Sequence, residues 1–532
     1  MPVTQEDVLR VAREVGFDVP TSELAAYTEL LQKAEAAFET VAALDDYQPT
    51  PDLDAAPRKD VHRPSPEQNP LNAWAWRCNC EHASPSTTLL KGKSVCFKDN
   101  IAMAGMPCLV GTDSFSDWTP SMDATVVTRV LENGGMVAGK AVCENLSRGA
   151  VSCTSATGPV HNPYARGYNA GGSSSGTAAL VGSGAVDMGL GCDQGGSIRI
   201  PAAMCGLYGF KATTGLVPYT GIASNDASVD YVGPITTTCT DCATLLQAVA
   251  GVDNLDDRQG PGTPFPSDVP AYKDLLKYPS PGDLPLSGLR IGVLLEGTNA
   301  PNMDPSLLVS FQQAVEGFKK LGAMVVDVSV PLHTRGRTIY SVLSKMGNHM
   351  GMRGQATGRR QVILTDLFEK KGKTNPYDPK SVAAMGVVSK EGLLAGALGW
   401  EQYPLAYYKA VNLMRQLSDK YDEVFETVDL IVMPTTLKPS TPLPGTTVAD
   451  VAAVSPLAQI AAAGGLMENT SPFNGTGHPA LAIPIGFVPA TDDPTIQLPA
   501  SLQIVGKFFD EARILQVAYA WETAYDWKTI KV

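Results

Sequence analysis

Two Gly-Gly-Ser turns stand 24 residues apart in the stretch GGSSSGTAALVGSGAVDMGLGCDQGGSIRIP (171–201), and each is placed to open a helix. Glycines ahead of a helix N-terminus let backbone N–H groups converge on an anion, and the helix dipole assists. Ser197, in the second turn, stands next to the amides of Gln194, Gly195, Gly196 and its own. A serine in that position is a nucleophile beside its own oxyanion hole. Upstream, Lys98 ends the apolar run VCFKDN. Burial there is expected to lower its pKa and make it a base.

The same segments allow other readings. GGSSSG satisfies a G-x-S-x-G pattern with Ser174 at the elbow and His478 as its partner, but such an elbow follows a strand, and HNPYARGYNA reads as a loop. No GK[ST] follows either glycine cluster, so a phosphate-binding P-loop is not supported. His478 is better read as a structural residue of the TGHP turn. Cys239 and Cys242 form a C-x-x-C that lacks a second pair at zinc spacing, the only other close pair being CNC at 78–80, so a helix start explains it better than a metal or redox site. Trp74 and Trp76 read as core. No motif calls for a metal, nucleotide or redox cofactor.

The elements that must hold these residues follow from periodicity. Residues 4–45 read as helical, with Thr4 as a cap and Leu24, Tyr27, Leu30, Leu31, Ala34, Phe38 and Val41 at a three-to-four spacing. The Pro- and Asp-rich segment 46–70 reads as a linker or wrapping arm. Strands are expected over 93–97, 136–142, 185–191, 289–295, 324–330 and 429–433. Helices are expected over 124–133, 174–183 and 305–321, the last with Leu308, Phe311, Val315 and Phe318 on one face. This alternation predicts an α/β fold with a largely parallel or mixed sheet. The expected organisation is a helical N-terminal extension (1–60), a first core part (61–334), a small inserted helical subdomain (335–425) and a second core part (426–532).

Composition narrows the function classes. The chain has 532 residues, 44% hydrophobic and 18% charged, and a formal charge of -13. That field repels phosphate backbones and disfavours nucleic-acid binding. No run approaches the roughly 20 apolar residues of a membrane span, and Leu457–Met467 is too short and too rich in small residues. The N-terminus shows no signal-peptide pattern, and ten cysteines read as mostly buried, reduced thiols, so a cytoplasmic location is expected.

Lys98 in FKDN, Ser173 and Ser174 in GGSSSG and Ser197 in DQGGSIRIPA together resemble the amidase signature. Further matches are GPITTTCTDCATLL (233–246), DLIVMPT (429–435), NGTGHPALAIP (474–484) and LQIVGKFFDEARIL (502–515), in the family's order, so the resemblance spans roughly 68–530. It implies a mixed central sheet covered by helices on both faces and a Ser–cis-Ser–Lys mechanism. Ser197 would attack the carbonyl and Ser173 would relay its proton to neutral Lys98. The amides of 194–197 would hold the oxyanion. Ser174 would support the network, and Asp193 and Arg199 would brace the loop as an internal ion pair.

Two departures from the family pattern stand out. Ser175 replaces a usual glycine, which would make the turn less free. Gln194 replaces a small or branched apolar residue, and its side chain would either reach the acyl pocket or brace the loop. The resemblance implies that the inserted helical region and the segment before the C-terminal motif line the pocket, which points to Tyr340, Met346, Met350, Met352 and Asn474. Core filling is the commoner use of such methionines.

Expected substrates are small aliphatic or aromatic amides, with carbamates (urethanes), anilides or esters as further ones. The alternative is a glutamine-hydrolysing subunit of an amidotransferase. The helical N-terminal extension, the DQGGSIRIP form and the acidic charge favour the first. A homodimer is common among relatives of this family.

Overall fold

The computed structural model describes residues 2–114, 117–278, 284–353, 362–373 and 379–532. They form two compact units, Met1–Pro49 and Thr50–Val532. The first unit is a pair of helices, Gln5–Val15 and Leu24–Ala42. Thr4 caps the first by accepting from the Asp7 amide, and the Asp7 side chain answers at the Thr4 amide. Of the periodic apolar positions on the second helix only Leu24 is buried, while Phe38 and Val41 stay largely exposed. The unit ends at Pro49, where residue 60 was expected, because Lys59–His62 is already a strand of the main sheet.

Among the described residues that sheet has twelve strands. They are β1 (Lys59–His62), β2 (Trp74–Cys80), β3 (Ser94–Lys98), β4 (Met136–Ala141), β5 (Met188–Asp193), β6 (Tyr208–Lys211), β7 (Tyr231–Thr236), β8 (Arg290–Leu294), β9 (Met324–Val328), β10 (Leu430–Pro434), β11 (Ala480–Pro489) and β12 (Gln497–Val505). Their spatial order is β1-β2-β4-β3-β5-β7-β6-β11-β12-β10-β8-β9. The ladders β3–β4, β3–β5, β8–β9 and β8–β10 are parallel and the others antiparallel, so the sheet is mixed as expected.

All six expected strands form, within a few residues. Of the six that were not anticipated, three have an evident cause. β7, β11 and β12 carry prolines, and β11 shifts register between Pro484 and Gly486, so their apolar runs are punctuated like loops. Between β9 and β10 the described residues are helical over His333–Met352, Thr365–Lys373, Pro379–Ala384, Val387–Gln402 and Pro404–Phe425. Parts of the expected inserted subdomain, 354–361 and 374–378, lie outside the described residues.

The strands that carry the chemistry are buried on both faces. Val95, Phe97, Met188, Leu190 and Cys192 pack into one apolar cluster. Cys96, Ala138 and Ala141 pack into another with Val181, Ile198 and Ile200. A fully buried Val, Leu or Phe side chain contributes about 1.5–3 kcal/mol, so this double burial fixes the register of β3 and β5.

Candidate active site

Alternation along β3 sends Val95 and Phe97 to one face, and Cys96 and Lys98 to the other. Lys98 is therefore carried by its strand into the interior, and its Nζ lies 2.8 Å from Ser173 Oγ and 3.5 Å from the Cys192 carbonyl oxygen. Ser173 is buried, and the peptide joining it to Gly172 is cis. The Glu144 amide donates to the Ser173 carbonyl at 3.2 Å.

Ser174 ties the first turn to β5. Its hydroxyl donates to the Cys192 carbonyl at 3.1 Å and accepts from the Cys192 amide at 3.2 Å. The close approach depends on Gly191, where a Cβ would fall 2.9 Å from Ser174 Oγ. Ser175 is not part of the turn but the first residue of the helix Ser175–Gly182. Its hydroxyl donates to Glu144 Oε1 at 2.8 Å. Glu144 also accepts from the Thr154 amide and hydroxyl, both at 2.6 Å. Burial pushes its carboxyl up to about 7, against these hydrogen bonds.

The second turn is organised by Asp193. Its carboxylate accepts from the Gly196 amide at 2.6 Å and the Ile198 amide at 3.1 Å. Arg199 grips it with Nε at 3.0 Å and Nη2 at 3.1 Å, and also donates to Gln503 and Asn474. Burial alone would raise the Asp193 carboxyl, but the guanidinium outweighs it and holds it at about 2. The expected set of oxyanion amides is corrected here. Gly196 N–H is committed to the buried carboxylate, which must gather donors to stay charged. The amides of Gln194, Gly195 and Ser197 have no hydrogen-bond partner among the described residues. Gly196 adopts a φ of 130°, and a Cβ there would fall 2.3 Å from Thr470 Oγ1. Thr470 in turn donates to the Gly195 carbonyl at 2.7 Å.

Gln194 braces the loop. Its Nε2 donates to Asp230 at 2.6 Å and its Oε1 accepts from Asn225 at 2.8 Å. Burial raises the Asp230 carboxyl to about 6, against the nearby Arg258. Ser197 is half-buried, and its hydroxyl makes no hydrogen bond with the described residues. Direct bonding therefore joins Lys98 to Ser173 and leaves Ser197 Oγ open.

Ser197, Gln194 and Gly195 lie on the wall of a cavity of about 320 Å³. Arg337, Tyr340 and Ser344 reach it from the inserted helical region, and Ile460 and Met467 from the segment before the C-terminal motif. Of the five expected lining residues only Tyr340 is there. Met352 is packed with Trp118 and Leu146, and Met346 and Met350 are absent from the wall. Asn474 is buried in the Asp193–Arg199 network. Sequence reasoning missed Arg148, whose one signal was an arginine among small residues in NLSRGA. A much smaller cavity, about 20 Å³ beside Thr213 and Asp256, contains none of these residues.

The competing readings find no geometry. His478 bonds to Thr476 and Asp422 and stacks with Phe508, while Ser174 is spent on the Cys192 backbone. Cys239 and Cys242 open the helix Cys239–Val249, and all ten cysteines are buried and free. Trp74 is buried and Trp76 packs beside it on β2. Among the described residues no cluster of three or more His, Cys, Asp or Glu is disposed to hold a metal, and no helix is long and apolar enough to cross a membrane.

A buried Lys–Ser pair beside a serine-bearing turn with unpaired amides is an arrangement that can support acyl transfer. A sequence model of the Amidase family matches residues 68–515. The chain belongs to the amidase signature family and is a hydrolase of carbon–nitrogen bonds. It is 35% identical to an enantioselective amidase of Rhodococcus rhodochrous over 87% of this chain and 85% of that one. It is 32% identical to a glutamyl-tRNA(Gln) amidotransferase subunit of Caldanaerobacter subterraneus subsp. tengcongensis, over 82% and 83%. The native peptide amidase of Stenotrophomonas maltophilia shares the fold with a TM-score of 0.63 and 27% identity, over 82% and 83%.

Proposed function

We propose that the chain is a free-standing serine amidohydrolase acting on small aliphatic or aromatic amides, with carbamates, anilides and esters as side substrates. The observation that carries this reading is the 2.8 Å contact between Lys98 Nζ and Ser173 Oγ, buried beside the Ser197 turn. In the proposed cycle Ser197 Oγ attacks the carbonyl carbon while its proton passes to Ser173, whose own proton passes to Lys98. The amides of Gln194, Gly195 and Ser197 receive the oxyanion, a contribution of about 2.7–4 kcal/mol per donor in comparable sites. The C–N bond breaks as the relay returns the proton to the leaving nitrogen. Water then cleaves the acyl-enzyme along the same path. Ten buried, free thiols favour a reducing, cytoplasmic compartment for this enzyme.

The amidotransferase relatives give a second reading, in which the same groups release ammonia from glutamine for a partner protein. One panel separates the two: amine or ammonia release from acetamide, benzamide, an acyl anilide, ethyl carbamate and glutamine, with Ser197→Ala alongside. Turnover of simple amides that vanishes in the variant is the expected result. Turnover of glutamine alone, or of nothing until a partner is added, overturns it in favour of the second reading. Labelling by a fluorophosphonate at Ser174 rather than Ser197 overturns the assignment of the nucleophile.

A further inference from the structure

Arg148 follows Ser147 on the wall of the cavity that contains Ser197, and it is buried, at 9% relative exposure. A guanidinium carries five N–H donors and a permanent charge, and burying it is unfavourable without an anion or several acceptors. The described residues give it one weak partner, the Met352 thioether, 3.1 Å from Nη1. No carboxylate among them forms an ion pair with it. Glu391, on the same wall, is taken by Lys345 at 2.6 Å, and Glu468 accepts from the backbone amides of Gly465 and Met467. Tyr340 and Glu391 exert some pull on it from a distance, and burial still draws its pKa below the ordinary arginine value.

The space around the guanidinium is shaped for it. Gly392 packs against its plane, and a Cβ at that position would fall 2.5 Å from Nη2 and 2.6 Å from Nη1. The second arginine on the wall, Arg337, lies over the Tyr340 ring, 5.6 Å from its centroid. The lining charges thus comprise Arg148, Arg337 and Lys345 against Glu391 and Glu468, a positive excess of one, with Arg148 the most deeply buried.

We infer that Arg148 binds a carboxylate on the substrate, so that the preferred amides carry an anionic group at one end and the scissile C–N bond at the other. This deepens the proposed function and rests on Ser197 being the reacting group. The carboxylate can belong to the acyl part, as in the monoamide of a dicarboxylic acid, or to the amine part, as in an N-acyl amino acid. The fork of a guanidinium matches both alike.

Binding separates this inference from the reaction itself. The full chain bearing Ser197→Ala is titrated calorimetrically with two pairs of ligands, glutaramate against pentanamide and N-butyrylglycine against N-ethylbutyramide. In at least one pair the anionic member is expected to bind about 30-fold or more tightly, the lower end of what a buried charge pair gives. Adding Arg148→Gln should erase that ratio, and Arg148→Lys, which keeps the charge without the fork, should reduce it. Equal or tighter binding of the neutral member in both pairs overturns the inference even if the double variant does not fold. So does a preference that survives Arg148→Gln. Failure of the wild type to cleave any amide in a Ser197-dependent way overturns the proposed function instead, and the binding ratio still tests Arg148 independently.

Discussion

Ser175 Oγ donates to Glu144 Oε1 at 2.8 Å, while the Glu144 amide holds the carbonyl of Ser173 at 3.2 Å. One buried acid therefore grips the first serine turn from both sides. The residue that departs from the usual glycine supplies one of the acid's donors.

Ser175→Gly is expected to weaken the fold by about 1–3 kcal/mol, from a lost hydrogen bond to a buried acid and a glycine in the first helical turn. Urea unfolding of the two proteins measures it. Unchanged stability would mean that Glu144 is satisfied by Thr154 alone.

Stability should depend on pH through the same acid. Burial raises the Glu144 carboxyl to about 7 in the folded protein from 4.5 in a free chain. The folded state then holds a proton that the unfolded state has released, so this contribution is complete below 4.5 and lost as pH rises through about 7. The loss is on the order of 3 kcal/mol. Asp230, raised from 3.8 to about 6, acts in the same sense at lower pH. Glu144→Gln should flatten the slope, measured by unfolding at about pH 5 and about pH 8. An equally steep slope in the variant would assign the effect to other groups.

Asp193→Asn removes the charge that Arg199 faces at 0% exposure and is expected to destabilise the protein by about 3–5 kcal/mol, since it leaves a buried cation unpaired. The Gly196 and Ile198 amides face a weaker acceptor as well. Thermal unfolding and amide turnover should therefore fall together. Full activity at unchanged stability would show that Arg199 is held by Gln503 and Asn474 alone.

Lys98→Ala is expected to lower kcat by about 10²–10⁴-fold with little change in KM, because the amine acts on the proton and not on the bound amide. Steady-state kinetics on a simple amide decide it. A change confined to KM would make Lys98 a binding residue.

Local pattern in the sequence pointed to the α/β alternation, to six of the strands and to Lys98 and Ser197, while Ser173 and Ser174 were assigned through the resemblance to the amidase signature. These signals are local: a period, a glycine turn, a serine at a fixed spacing. The Asp193–Arg199 pair followed from the resemblance to the amidase signature, and the fold forms it at 3.0 Å. The tertiary structure decided everything that depends on distant contact. Gln194 bonds to Asp230 and Asn225, which a distant loop brings to it. Asn474 leaves the pocket for a buried ion pair 275 residues upstream in the chain. Gly196 loses its free amide to Asp193, which only the closed turn reveals. Arg148 is marked in the sequence only as an arginine among small residues. In the fold it is buried, with Gly392 close against its guanidinium and no carboxylate among the described residues paired with it.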